Sequence, residues 1–141
     1  MKKLLTLFVC FALTCSCLAL FAFGCGNSEP VEVKGKTFVY SKVEIVSGTA
    51  SDEDKEETER QWNGYSWVFT EEQDGDDFIV NAVKNGKVQQ GFFYLQEGAQ
   101  ISLDDTLGHI VLTFTAESDC IYIEDRHENG FTARWYFDLQ K

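Results

Sequence analysis

The sequence predicts an all-β domain, an eight-stranded antiparallel up-and-down barrel carrying one short helix. Three observations predict it. From Lys36 onward apolar and polar residues alternate with period two, as in strands that place one face on a core. The runs end in turn chemistry such as Asp74-Gly75, Asn85-Gly86 and Asn129-Gly130. Eight sequential strands with short connections form a meander, and closing it removes the edges an open sheet would expose.

Taken in order, the first strand is expected over Thr37–Val46 and the next two over Tyr65–Thr70 and Phe78–Lys84, with Asp74-Gly75 turning between them. Asn85-Gly86 leads into a fourth, Lys87–Leu95, in which Gly91 is expected to kink or bulge the chain. Glu97-Gly98 precedes a short fifth strand, Gln100–Leu103, followed by His109–Ala116 and Cys120–Arg126. The last, Phe131–Leu139, follows a hairpin in which Asn129-Gly130 favours positive φ. Its inner face is unambiguous: Phe131, Ala133, Trp135, Phe137 and Leu139 alternate with Thr132, Arg134, Tyr136 and Asp138, and a one-residue slip would bury charge.

Between the first two strands, Ser51 and Asp54 are spaced to cap a helix and Glu56 with Arg60 to pair along it. The segment 51–63 is read as a short helix lying across one barrel end with Trp62 as its plug. The alternative is a solvated acidic loop, since Trp62 is almost its only large apolar residue.

Residues 1–24 have the parts of an export signal: Lys2 and Lys3, an apolar run from Leu4 to Phe23, and small residues at Gly24-Cys25-Gly26. Twenty apolar residues could also span a bilayer, and either reading puts the remainder outside the cytoplasm. The quartet Ala22-Phe23-Gly24-Cys25 resembles the lipobox of bacterial lipoproteins, carried by Gly24 and Cys25, with Ala22 and Phe23 where such boxes usually hold Leu and a small residue. The resemblance implies cleavage before Cys25 and a lipid anchor on its sulfur, hence a location on the extracytoplasmic face of the bacterial cell membrane. Residues 25–34 are then expected to be a flexible tether and 35–141 the barrel domain.

Removing the leader leaves 117 residues, enough for one core and too few for two domains. Every Asp and Glu lies beyond Cys25, so this portion holds 23 acids against 10 Lys and Arg, a formal charge of −13. Nucleic acid and anionic lipid headgroups would be repelled. Cys10, Cys15 and Cys17 leave with the leader and Cys25 takes lipid, so Cys120 stands alone and no internal disulfide forms.

Gly35-Lys36-Thr37-Phe38 at the domain's opening, Gly86-Lys87 and Gly98 at hairpins, and Asn129-Gly130-Phe131 before an aromatic closing strand resemble the small lipocalin-like lipoproteins of bacteria over roughly residues 34–141. The Gly-x-Trp of true lipocalins is missing from the first strand. The resemblance implies a lipid-tethered barrel, in families some of whose members are suspected of binding small apolar molecules, and transfers no site residue.

Chemistry-bearing residues are sparse. His109 and His127 are the only histidines and read as surface or structural. The acids Asp74, Asp76 and Asp77 and the run Asp52–Glu59 lie in turns or on a solvated face, without calcium-loop spacing. Neither catalytic residues, a metal nor a cofactor are expected. The candidate ligand-binding residues are Phe38, Tyr40, Trp67, Phe69, Phe92, Tyr94, Phe114, Trp135 and Phe137. A barrel of eight strands is either filled by such rings or holds one small ligand among them, and short strands with large rings favour filling. The functional expectation is a non-enzymatic binding module for a small apolar ligand. The alternative is an accessory lipoprotein with a filled core and an acidic surface, centred on 51–63, for a basic protein partner.

Overall fold

The computed structural model describes residues 29–141; the leader, Cys25 and the start of the tether lie outside them. Strands β1 (Thr37–Ser47), β2 (Tyr65–Asp74), β3 (Asp77–Lys84), β4 (Lys87–Glu97), β5 (Gln100–Asp104), β6 (Ile110–Ala116), β7 (Cys120–Arg126) and β8 (Thr132–Leu139) pair in sequence order, and β8 returns to β1. The sheet is a closed antiparallel barrel, as the alternation predicts. The single helix among these residues, α1 (Asp52–Gln61), sits between β1 and β2.

Bulges reconcile the sequence pattern with the inner surface. In β1, Tyr40 faces Phe137 and Lys42 faces Tyr136, so Ser41 is an extra residue. It shifts the phase, which lets Phe38 and Tyr40 share the inner face with Val43 and Ile45 beyond it. In β4 the extra residue is Gln89, between the pairs Ala82–Gln90 and Val83–Val88. Gly91 itself stays in register opposite Asn81, so the expected irregularity falls two residues earlier.

The hairpins follow their glycines, with one correction. Asn85 and Gly86 both have positive φ, 49° and 79°, the two-residue turn that Asn-Gly favours. At Asn129-Gly130 only Gly130 does, at 86°. There Gly130 N–H donates to the His127 carbonyl and His127 N–H to the Phe131 carbonyl, each at 2.9 Å, closing a three-residue loop, Glu128–Gly130, within the expected connection. The Asn129 amide is held by the Asp54 carboxylate at 2.9 Å, across the barrel mouth on α1.

The segment before β1 departs from the flexible tether expected through residue 34. Val33 is fully buried and Val31 nearly so. Val31 N–H donates to the Glu117 carbonyl at 2.6 Å, and the Gln96 side chain accepts from Val33 N–H and donates to the Val31 carbonyl, both at 2.9 Å. Residues 31–34 are thus a strap over the end of the barrel where β1 begins and β8 finishes.

Candidate functional site

The expected ligand-lining rings lie on one inner surface and pack on each other. Phe38, Trp67, Phe69, Phe114, Trp135 and Phe137 are at most 2% exposed, and Tyr94 is 7%. Tyr40 and Phe92 are half-buried at the margin of the cluster. Trp67 meets Phe114 at 5.0 Å between ring centroids, Phe38 meets Phe69 at 5.8 Å, and Phe114 meets Phe137 at 6.0 Å, all edge to face. This is the packing of a filled core. The Tyr94 hydroxyl donates to the Thr70 carbonyl at 3.1 Å, so its polar tip is also satisfied from within.

The helix end of the barrel is built around two tryptophans. Ser51 caps α1 through a reciprocal pair: its hydroxyl accepts from Asp54 N–H at 3.1 Å, and the Asp54 carboxylate accepts from Ser51 N–H at 3.0 Å. The Ser51 hydroxyl also donates to the Asp54 carboxylate at 2.7 Å, and this bond, with those from Ser51 N–H and the Asn129 amide, holds the Asp54 carboxyl below its ordinary value of 3.8. The helix is acidic throughout its first turn, yet it buries Thr58, whose carbonyl accepts the Trp135 indole N–H at 2.8 Å. At the helix C-cap, Trp62 inserts between Tyr65, Trp67 and Phe137, with centroids at 5.1, 5.8 and 6.1 Å. The plug expected of Trp62 is in place.

Beside that plug the barrel wall is incomplete. The β6–β7 ladder consists of Thr115 with Tyr122 and Ala116 with Ile121, at the strap end only. Val111 is an extra residue in β6 between the pairs Leu103–Leu112 and Asp104–Ile110. Such a bulge bends its strand, and this one lies in the stretch of β6 that no longer pairs with β7. A cleft of about 430 Å³ opens there, with Trp62, Leu112, Ile123 and Trp135 among its lining and Asp125 on its rim. Sequence reasoning missed it, although consecutive Ile110 and Val111 break the alternation and both are exposed.

Family models, curated proteins and solved structures return no match to this chain. The site is therefore read from its own geometry.

A second cleft, of about 590 Å³, flanks the strap and is lined by Pro30, Lys34, Phe78, Tyr94 and Leu95 among others. Neither histidine lines either cleft, although His127 packs 5.9 Å from Trp135. His109 Nδ1 lies 3.2 Å from the Asp105 carboxylate within the exposed β5–β6 loop, where Leu107 and His109 N–H groups donate to the same carboxylate and hold it below its ordinary value. His127 stacks on Phe131 at 4.3 Å. Cys120 is buried, its thiol pushed up to about 12 by desolvation and by Glu117, whose carboxylate lies 3.4 Å from the sulfur. A thiol so raised is a poor nucleophile at neutral pH. Among the described residues no three His, Cys, Asp or Glu side chains converge to hold a metal, and no helix is long and apolar enough to cross a membrane.

Proposed function

We propose that this protein is a membrane-anchored extracytoplasmic lipoprotein, held by lipid on Cys25, whose barrel is a non-enzymatic scaffold for contact with another protein. The observation that carries this reading is the interior, where eight of the nine candidate rings pack on one another, Trp135 is buried in the same core, and recognition is left to the outer surface. A strongly acidic exterior favours a basic partner and makes the contact salt-sensitive. A second reading, a small apolar ligand, is supported by the cleft beside the strap, where Phe78, Tyr94 and Leu95 supply an apolar wall of ligand-binding size.

Native mass spectrometry of the protein purified gently from its host discriminates the two. A bare protein mass, together with a co-purifying protein released by salt, supports the scaffold. A stoichiometric small mass that disappears on denaturation supports the ligand reading instead. The anchor is tested in the same cells: incorporation of a labelled fatty acid is expected, and is expected to be lost in Cys25→Ala.

A further inference from the structure

We propose that α1 is a lid: it leaves the barrel mouth as one piece, withdrawing Trp62 from the core, while the eight-stranded wall and the strap end stay folded. The inference goes beyond the protein-contact reading and stands whichever surface a partner meets.

The helix covers an end whose wall has two parted seams. β1 meets β2 through Thr37–Val39 and β6 meets β7 through Thr115 and Ala116, so both ladders lie toward the strap. α1 spans this end without filling it. A cleft of about 340 Å³ runs along one flank, lined by Lys55, Thr58 and Glu59 of the helix and by Tyr40, Val43 and Ile45 of β1. The 430 Å³ cleft runs along the other, between Trp62 and the β6–β7 gap. An element with unfilled space on both sides has few packing contacts to lose on leaving.

Its attachments are correspondingly few. Six of the ten residues of α1 are acids and Thr58 is the buried one, so lifting the helix returns little apolar area to water beyond Ala50 and Trp62 in its joints. Each joint also holds a glycine, Gly48 and Gly64, where a hinge can turn. Among the described residues, two side-chain bonds tie the helix to the wall: the Asn129 amide to Asp54 and the Trp135 indole to the Thr58 carbonyl. Segments held by so little buried surface open before the rest of a domain.

An independent signal comes from the groups that the seated helix encloses. The indole N–H groups of Trp62 and Trp67 and Nε2 of His127 are buried without a hydrogen-bond partner among the described residues. A buried donor without an acceptor disfavours the state that encloses it, and withdrawing Trp62 brings its N–H to water. The strap end shows the opposite: the Tyr94 hydroxyl and the Gln96 amide are both bonded there. With α1 lifted, Tyr65, Trp67, Trp135 and Phe137 line an open aromatic mouth, so the core is filled only while the lid is seated.

The test is native-state hydrogen exchange by NMR on the full chain as its host produces it, isotope-labelled and in detergent, over a series of low denaturant concentrations. The α1 amides and the Trp135 indole N–H are expected to share one protection factor. It should be at least about a hundredfold below that of the slowest wall amides and nearly insensitive to denaturant. Val33→Ala, at the strap end, separates lid opening from global unfolding. It is expected to lower the protection of the slowest wall amides about thirtyfold and to leave that of α1 and the Trp135 indole unchanged. A Trp135 indole as protected and as denaturant-sensitive as the wall would overturn the proposal. Fast helix amides beside such an indole would mean fraying in place and would overturn it equally, as would a parallel fall of both protections in Val33→Ala.

Discussion

The two ends of the barrel close by different means. At the strap end the wall itself is complete: β6 meets β7 there, β1 meets β2 through Thr37–Val39, and Val31 and Val33 cover the opening with their backbones bonded to Glu117 and Gln96. At the helix end the wall parts between β6 and β7, and a largely polar helix fills the mouth with one tryptophan of its own and one backbone carbonyl offered to Trp135. The first end is shut by apolar burial along a short extended segment. The second depends on a few directional contacts, at Ser51, Thr58 and Asn129, which place an element with little apolar surface.

That contrast can be broken at its strongest point first. Trp135→Ala removes a fully buried ring and the donor to Thr58, and is expected to cost about 3–5 kcal/mol, read from denaturant unfolding. Trp135→Phe keeps most of the volume and isolates the lost hydrogen bond. At Gly48, φ is +76° and a Cβ would sit 2.5 Å from the Gly130 carbonyl oxygen. Gly48→Ala is therefore expected to cost about 2–3 kcal/mol, combining left-handed strain with displacement of the β7–β8 loop. Val33→Ala at the opposite end is expected to cost about 2 kcal/mol through lost burial, without disturbing α1. Ser51→Ala is expected to cost about 1 kcal/mol, with loss of helical signal in circular dichroism confined to α1.

The smallest effect is a pH dependence. Because the folded carboxyl of Asp54 lies below its ordinary 3.8, its contribution is present above that value and is lost as pH falls through the folded one. Acidification below about pH 4 is thus expected to loosen α1 before the strap, seen as loss of the Asn129 side-chain amide resonance shift while Val33 is unchanged.

Most of the barrel was legible because each strand's own residues state it. The alternation in β8 leaves one possible inner face, and Asn85-Gly86 specifies its turn within two residues. What was not legible depended on residues far apart in sequence. The three-residue β7–β8 loop has Asn129 held by Asp54, a partner 75 positions away. Thr58 is buried in an acidic helix because a distant indole needs a carbonyl, and helical periodicity does not register that demand. The strap was legible in principle, since Val31 and Val33 already alternate with Glu32 and Lys34, but the run is too short to outweigh neighbouring turn residues. The site was less legible than the fold: alternation placed the rings on one face, but the β6–β7 gap follows from a bulge and an interrupted ladder.

The β8–β1 pairing also sets an order of events. Phe38 lies opposite Leu139, about a hundred residues later, and Gln140 N–H donates to the Thr37 carbonyl at 2.9 Å. The first strand therefore has no lasting partner on that side until Leu139 has become available, and the loop closed by this pairing is almost the whole barrel. Sequential hairpins can form as the chain emerges, but the cylinder can be completed only once β8 is available to pair with β1, a non-local closure of the kind that slows folding.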